Sequence, residues 1–181
     1  MEKTQAANGR IDIPDTVVSV STQKVSAEQV YGALADLSRH PVWGGSMHKK
    51  KNFGLTSIDA PAGAASVGTE FRSTGNDPMG TFSDHSVVTE ATRPRLFEYV
   101  TEGHLTPKKT GKPACDTTIT HRFEIEETGE GCIVTSRDHV ARWTNPPGML
   151  TSKLMRPLVR MIVSGISKRT LKNLIASADQ R

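Results

Sequence analysis

Aromatic residues are scarce in this chain: two Trp, two Tyr and five Phe make up 5% of the sequence. Cysteine is scarcer, at two, and no apolar run approaches the ~18 uninterrupted residues that a membrane span requires. Each lack excludes something. Without stacking aromatics along a basic stripe, the net charge of +4 reads as solvated surface rather than a nucleic-acid footprint. Its basic clusters, Lys49-Lys50-Lys51, Lys108-Lys109 and Lys168-Arg169, are separated by acidic stretches. Cys115 and Cys132 stand at the starts of two strands that would pair through a turn near Gly129, at opposite ends of the ladder and too far apart to bridge. Reduced thiols and a cytoplasmic location are the expectation.

Several reactive motifs are absent as well. There is no Gly-x-Ser-x-Gly elbow, no Gly-rich phosphate loop, and no Cys or His pair at zinc-ligand spacing. The pairs Asp84-His85 and Asp138-His139 suggest a metal at first. Neighbours on a strand face opposite sides, however, so neither pair chelates within one pocket. No metal and no cofactor are expected. Met1 to Arg10 has no apolar core of the signal-peptide kind, and residues 1–12 are read as a disordered lead to one domain over 13–181. With 35% hydrophobic and 23% charged residues, that domain has the composition of a globular fold with a sizeable core.

The order of elements is α+β. Thr16 to Lys24 is β-branched and partly alternating, a strand. Ser26 and Gln29 have capping-box spacing, and Val30, Leu34 and Leu37 recur at helical intervals, with Pro41 ending the run and Trp43-Gly44-Gly45 forming a turn. Short alternating runs follow over Val67 to Thr74, Thr81 to Thr92, Leu96 to Glu102, Thr117 to Glu126 and Cys132 to Arg142, with Met47 to Ile58 less regular. Their links are too short for crossover helices, so antiparallel hairpins are expected; Gly103 to Ala114 reads as a basic loop. A long helix is expected from Asn145-Pro146 to about Ala178, kinked at Pro157.

Local motifs add a resemblance. Ser26-Ala27-Glu28-Gln29-Val30-Tyr31, His40-Pro41-Val42-Trp43, Val67-Gly68-Thr69-Glu70-Phe71, Val88-Thr89-Glu90 with Arg93-Pro94-Arg95-Leu96, and Leu171-Lys172-Asn173-Leu174 together resemble the START-like (SRPBCC) superfamily. That superfamily includes polyketide cyclases, the birch pollen allergen and lipid-transfer domains. The resemblance spans about Thr16 to Ala178. It implies a helix-grip fold: a curved seven-stranded antiparallel sheet around a long C-terminal helix, with two short helices after the first strand and a cavity beneath the last helix. It leaves the occupant of that cavity open.

Alternation assigns the inward side chains. Ile119, Phe123 and Ile125 bring His121 inward; Val134 and Val140 bring Ser136 and Asp138; Phe82 and Val88 bring Asp84 and Ser86, against Val87; Phe71 carries Ser73 and Phe97 carries Tyr99. Phe71, Ser73, Phe82, Asp84, Ser86, Phe97, Tyr99, His121, Phe123, Ser136 and Asp138, with Trp43 and with Leu154 and Met161 on the last helix, make the expected ligand-binding set, and His121 and Asp138 are the best catalytic candidates. The last helix is apolar over more than half its circumference, leaving Val159, Val163 and Ile166 as a possible homodimer contact or as the product of a bend.

Three functions fit. The first is binding of a small hydrophobic or aromatic molecule, polyketide-like or lipid-like. The second is a cyclase- or dehydrase-like enzyme with His121 and Asp138 as base and acid. The third is a partner-binding module resembling chaperone cofactors, its interior filled by side chains. Neither a nucleic-acid partner nor stable membrane insertion is expected.

Overall fold

Seven strands form one antiparallel sheet in the order β1-β7-β6-β5-β4-β3-β2, open between its two edge strands. The strands are β1 Thr16–Thr22, β2 Gly54–Asp59, β3 Glu70–Asn76, β4 Gly80–Thr92, β5 Leu96–Pro107, β6 Cys115–Glu127 and β7 Cys132–Trp143. The computed structural model describes residues 15–44, 54–76, 79–109, 111–146, 152 and 154–180. Between β1 and β2 lie helix α1 (Ala27–Ala35), a 3-10 turn (Leu37–Arg39) and the short helix α2 (His40–Gly44). The chain closes with helix α3 (Arg156–Ala178), which packs against β1, α1 and α2. The sheet, the long last helix and the short helices make an α+β helix-grip arrangement.

The capping box forms as the sequence implies. Gln29 N–H donates to Ser26 Oγ at 3.3 Å, and Ser26 N–H donates to Gln29 Oε1 at 3.0 Å. Pro41 does not end that helix. α1 stops at Ala35, and Pro41 lies in the first turn of α2, where its missing N–H costs nothing. Trp43 is therefore helical rather than part of a turn. The same reasoning corrects Pro157, which sits in the first turn of α3 and so starts a helix instead of kinking one. Asn145 is not the cap of that helix. It has φ of 48°, and its amide donates to the Ala114 carbonyl at 2.9 Å.

Two strands differ from the reading by periodicity. β5 continues through Gly103 to Pro107, pairing with both β4 and β6, so the basic loop is shorter than expected. β3 starts at Glu70 because Gly68 occupies the left-handed region, with φ of 85°. Much of the Met47 to Ile58 segment lies outside the described residues, and its strand is Gly54–Asp59. Both cysteines are buried and free, and Cys132 pairs with Glu127 at the hairpin end of the β6–β7 ladder.

The core occupies one end of the sheet's inner face. Val30, Leu34 and Leu37 from the first helical segment meet Val88, Phe97, Phe123, Ile125 and Val134 from the strands and Leu171 and Leu174 from α3. Toward the other end of the same strands, this packing gives way to open space.

Candidate functional site

Inward positions change character along four adjacent strands. On β4, Val88 gives way to Ser86, Asp84 and Phe82; on β5, Phe97 gives way to Tyr99 and Thr101; on β6, Phe123 to His121; on β7, Val134 to Ser136 and Asp138. The apolar ends belong to the core, and the polar ends line a cavity of about 280 Å³. Trp43, Phe71 and Ile58 complete its apolar walls, while Ile166, Ser167, Thr170 and Leu171 of α3 close it. That volume sits at the lower end of small-molecule sites, roughly 300–1,000 Å³.

One cross-strand row carries the titratable groups. Tyr99 pairs in register with His121, and His121 with Asp138. The His121 Nδ1–H donates to Asp138 Oδ1 at 2.8 Å, and Ser167 Oγ donates to Asp138 Oδ2 at 3.4 Å from α3. The His121 and Asp138 side chains remain about a quarter exposed (25% and 24%), so they meet the cavity rather than the packed core. The Tyr99 ring lies 4.9 Å from the His121 ring, and burial, reinforced by the charges of Asp138 and Asp84, raises its phenol. A carboxylate that fixes one ring nitrogen sets the tautomer of the other, the arrangement a general base requires.

A second row, Ser73–Asp84–Gly103–Thr117, runs beside the first. Burial pushes the Asp84 carboxyl up to about 6, against the opposing pull of His121 and a hydrogen bond from Ser73. Two inward glycines make room for the long side chains of β4. A Cβ on Gly103 would lie 2.8 Å from Asp84 Oδ1, and one on Gly75 would lie 2.2 Å from the Phe82 ring. Between the rows, Ser86 and Thr101 share a hydrogen bond of 2.9 Å.

His40 is a wall residue too. Its Nε2–H donates to the Leu34 carbonyl at 3.1 Å, and full burial lowers it to about 4, so it is neutral near pH 7. Its ring touches Trp43 at 4.5 Å and Phe71 at 5.6 Å. The Trp43 indole N–H is buried without a hydrogen-bond partner among the described residues.

Eleven of the fourteen residues expected from alternation and motif line this cavity: Trp43, Phe71, Ser73, Phe82, Asp84, Ser86, Tyr99, His121, Phe123, Ser136 and Asp138. Three do not. Phe97 sits at the core end of β5 with 0% exposure; Leu154 precedes α3 and is 89% exposed, and Met161, on the outward-facing N-terminal half of α3, is 65% exposed. Of the suggested dimer contact, Ile166 lines the cavity instead, Val163 is exposed and Val159 is half-buried. Sequence reasoning missed His40, Thr101, Ser167 and Thr170. Thr101 continues the parity of Phe97 and Tyr99 and was legible, whereas Ser167 and Thr170 depend on where α3 begins.

No family model matches the chain, and no curated protein does. Solved structures do. A conserved protein from Geobacillus kaustophilus superposes with a TM-score of 0.65 at 11% identity, covering 92% of this chain and 96% of that one. KanY, solved by NMR, gives 0.56 at 14% identity over 94% and 99%. The di-domain aromatase/cyclase StfQ of the steffimycin biosynthetic pathway gives 0.56 at 16% identity, covering 92% of this chain and 52% of that one. The chain shares their fold. At these identities the likeness concerns the backbone alone. No helix among the described residues is long and apolar enough to cross a membrane.

Proposed function

We propose that this protein binds a small, largely apolar or aromatic molecule, polyketide-like or lipid-like in character, in the cavity between the sheet and α3. The observation that carries this reading is the sorting of inward residues along the strands. The walls are mostly apolar, while His121, Asp138, Asp84 and Ser136 converge from different elements at one end. An apolar enclosure with a few fixed polar groups is what holds and orients an organic ligand. A cytoplasmic setting, with both thiols reduced, belongs to the same reading.

A blocked cavity tests it. Thr170 lines the cavity from α3, so Thr170→Trp fills it from the helix side. A naphthalene-type fluorescent probe is expected to bind the parent chain and to lose most of its binding in this variant, with helix content unchanged by circular dichroism. Equal binding by both chains would sink the reading.

A second reading has a specific observation behind it. The 2.8 Å contact between His121 and Asp138 gives the cavity an oriented imidazole, which a cyclase- or dehydrase-like enzyme needs for proton transfer. StfQ, one of the structural neighbours, is an aromatase/cyclase. The partner-module reading requires an interior filled by side chains, and the cavity argues against it.

A further inference from the structure

The charge of the cavity wall narrows what the site accepts. Its described lining holds two carboxylates, Asp84 and Asp138, two imidazoles, His40 and His121, and neither Lys nor Arg. His40 donates to a backbone carbonyl and is neutral near pH 7, so it brings no positive charge. Any charge on His121 is set against Asp138 at 2.8 Å. In either protonation state of His121, the ionised wall is net negative. Asp84 is the under-compensated group: it is largely buried, and the pull of His121, which Asp138 shares, and a hydrogen bond from the neutral Ser73 hydroxyl offset that burial only in part. A carboxylate in this position is costly unless a cation or further donors reach it.

An anionic ligand such as a fatty acid or an organic phosphate would add like charge to this wall. A metal ion is also a poor match, because no group of three or more ligating side chains occurs among the described residues and most of the surface is apolar. The remaining chemistry is an organic cation with an apolar body. The rings suit it: Phe71 and Tyr99 lie 5.4 Å apart and Phe82 lines the same cavity as Asp84, and aromatic faces attract ammonium groups.

We propose that the cavity takes a hydrophobic amine whose ammonium group sits against Asp84 and whose aryl or alkyl body lies among Phe71, Phe82 and Tyr99. This rests on the reading of the cavity as a small-molecule site and names the class of molecule. It also ranks the lipid-like option, since a free fatty acid carries the wrong charge.

The test uses three probes of matched shape, naphthylethylamine, naphthylethanol and naphthylacetate, titrated calorimetrically into the whole protein near neutral pH. The amine is expected to bind about tenfold more tightly than the alcohol, and the carboxylate more weakly than either. In Asp84→Asn, nearly isosteric with the parent, the ratio of amine to alcohol affinity is expected to fall to about one. The carboxylate binding tightest, or an amine no tighter than the alcohol, overturns the proposal on the parent chain alone. An amine advantage that persists in Asp84→Asn overturns the role given to that residue. Binding of none of the three contradicts the underlying small-molecule reading, whereas binding of the alcohol without preference for the amine contradicts this proposal only.

Discussion

Asp84 faces Gly103 across the β4–β5 ladder, and the missing side chain of Gly103 gives the carboxyl group its place in the cavity wall. An added Cβ would stand 2.8 Å from Asp84 Oδ1 and 2.7 Å from Thr117 Oγ1, inside van der Waals contact with both. Gly103→Ala is therefore expected to destabilise by roughly 1–3 kcal/mol, the usual range for overpacking, despite alanine's better strand propensity. In an Asp84→Ala background the same change is expected to cost less. Urea denaturation of the four chains in a double-mutant cycle measures the coupling, and additivity would contradict the steric account.

The pH dependence of stability contains two opposing contributions. Asp84 is raised from its ordinary value to about 6, so between about 4 and 6 the folded chain keeps a proton that the unfolded chain has released. Stability from this group is fully present at low pH and lost as pH rises through about 6. His40 is lowered to about 4 and works the other way: its contribution is present above its ordinary value of 6.5 and lost as pH falls through about 4. Each is worth at most roughly 3 kcal/mol, and the two windows overlap. Asp84→Asn is expected to show a steeper loss of stability on acidification from pH 6.5 to 4 than the parent chain. His40→Gln is expected to gain stability between pH 6 and 4. Parallel melting profiles for all three chains would contradict both assignments.

Trp43 combines a large buried ring with an indole N–H that lacks a partner among the described residues. Phenylalanine removes that donor and keeps most of the ring, so Trp43→Phe is expected to change stability by less than about 1 kcal/mol. Trp43→Ala is expected to cost about 3–5 kcal/mol through the void it leaves. Thermal denaturation distinguishes them. A Phe variant as unstable as the Ala variant would mean that the N–H has a partner.

The two functional readings diverge at His121. As a binding contact, its replacement by alanine is expected to weaken affinity for a bound probe by a few-fold, and neither chain turns a polyketide-type chain over. As a general base held by Asp138, its loss would abolish turnover and leave affinity within a small factor. Single-turnover assays beside equilibrium titration separate these outcomes.

Much of this site was legible because a strand's alternation is rigid. Once Phe123 and Ile125 face the core, His121 must share their side, and the same parity carries Ser136, Asp138, Asp84 and Ser86 inward. Parity says which side a residue faces but not how far along the strand the core ends. Parity alone therefore places Phe97 at the cavity, although it lies wholly within the packed end. Helices lack so strict a constraint. The wheel of α3 depends on its first residue, and a helix starting at Arg156 with Pro157 in its first turn leaves Leu154 and Met161 to solvent and turns Ile166, Ser167 and Thr170 to the cavity. The Pro, Gly and Lys content that follows Gly103 reads as a loop, although a lone glycine within a strand often marks a close approach.

Native mass spectrometry of freshly purified protein, run beside Thr170→Trp, tests the central claim most directly. The parent chain is expected to carry a small organic molecule that dissociates on activation, and the blocked variant to fly at the mass of the bare chain. The same adduct on both chains, or a bare parent chain that also fails to respond to apolar probes in solution, would contradict a ligand held between the sheet and α3.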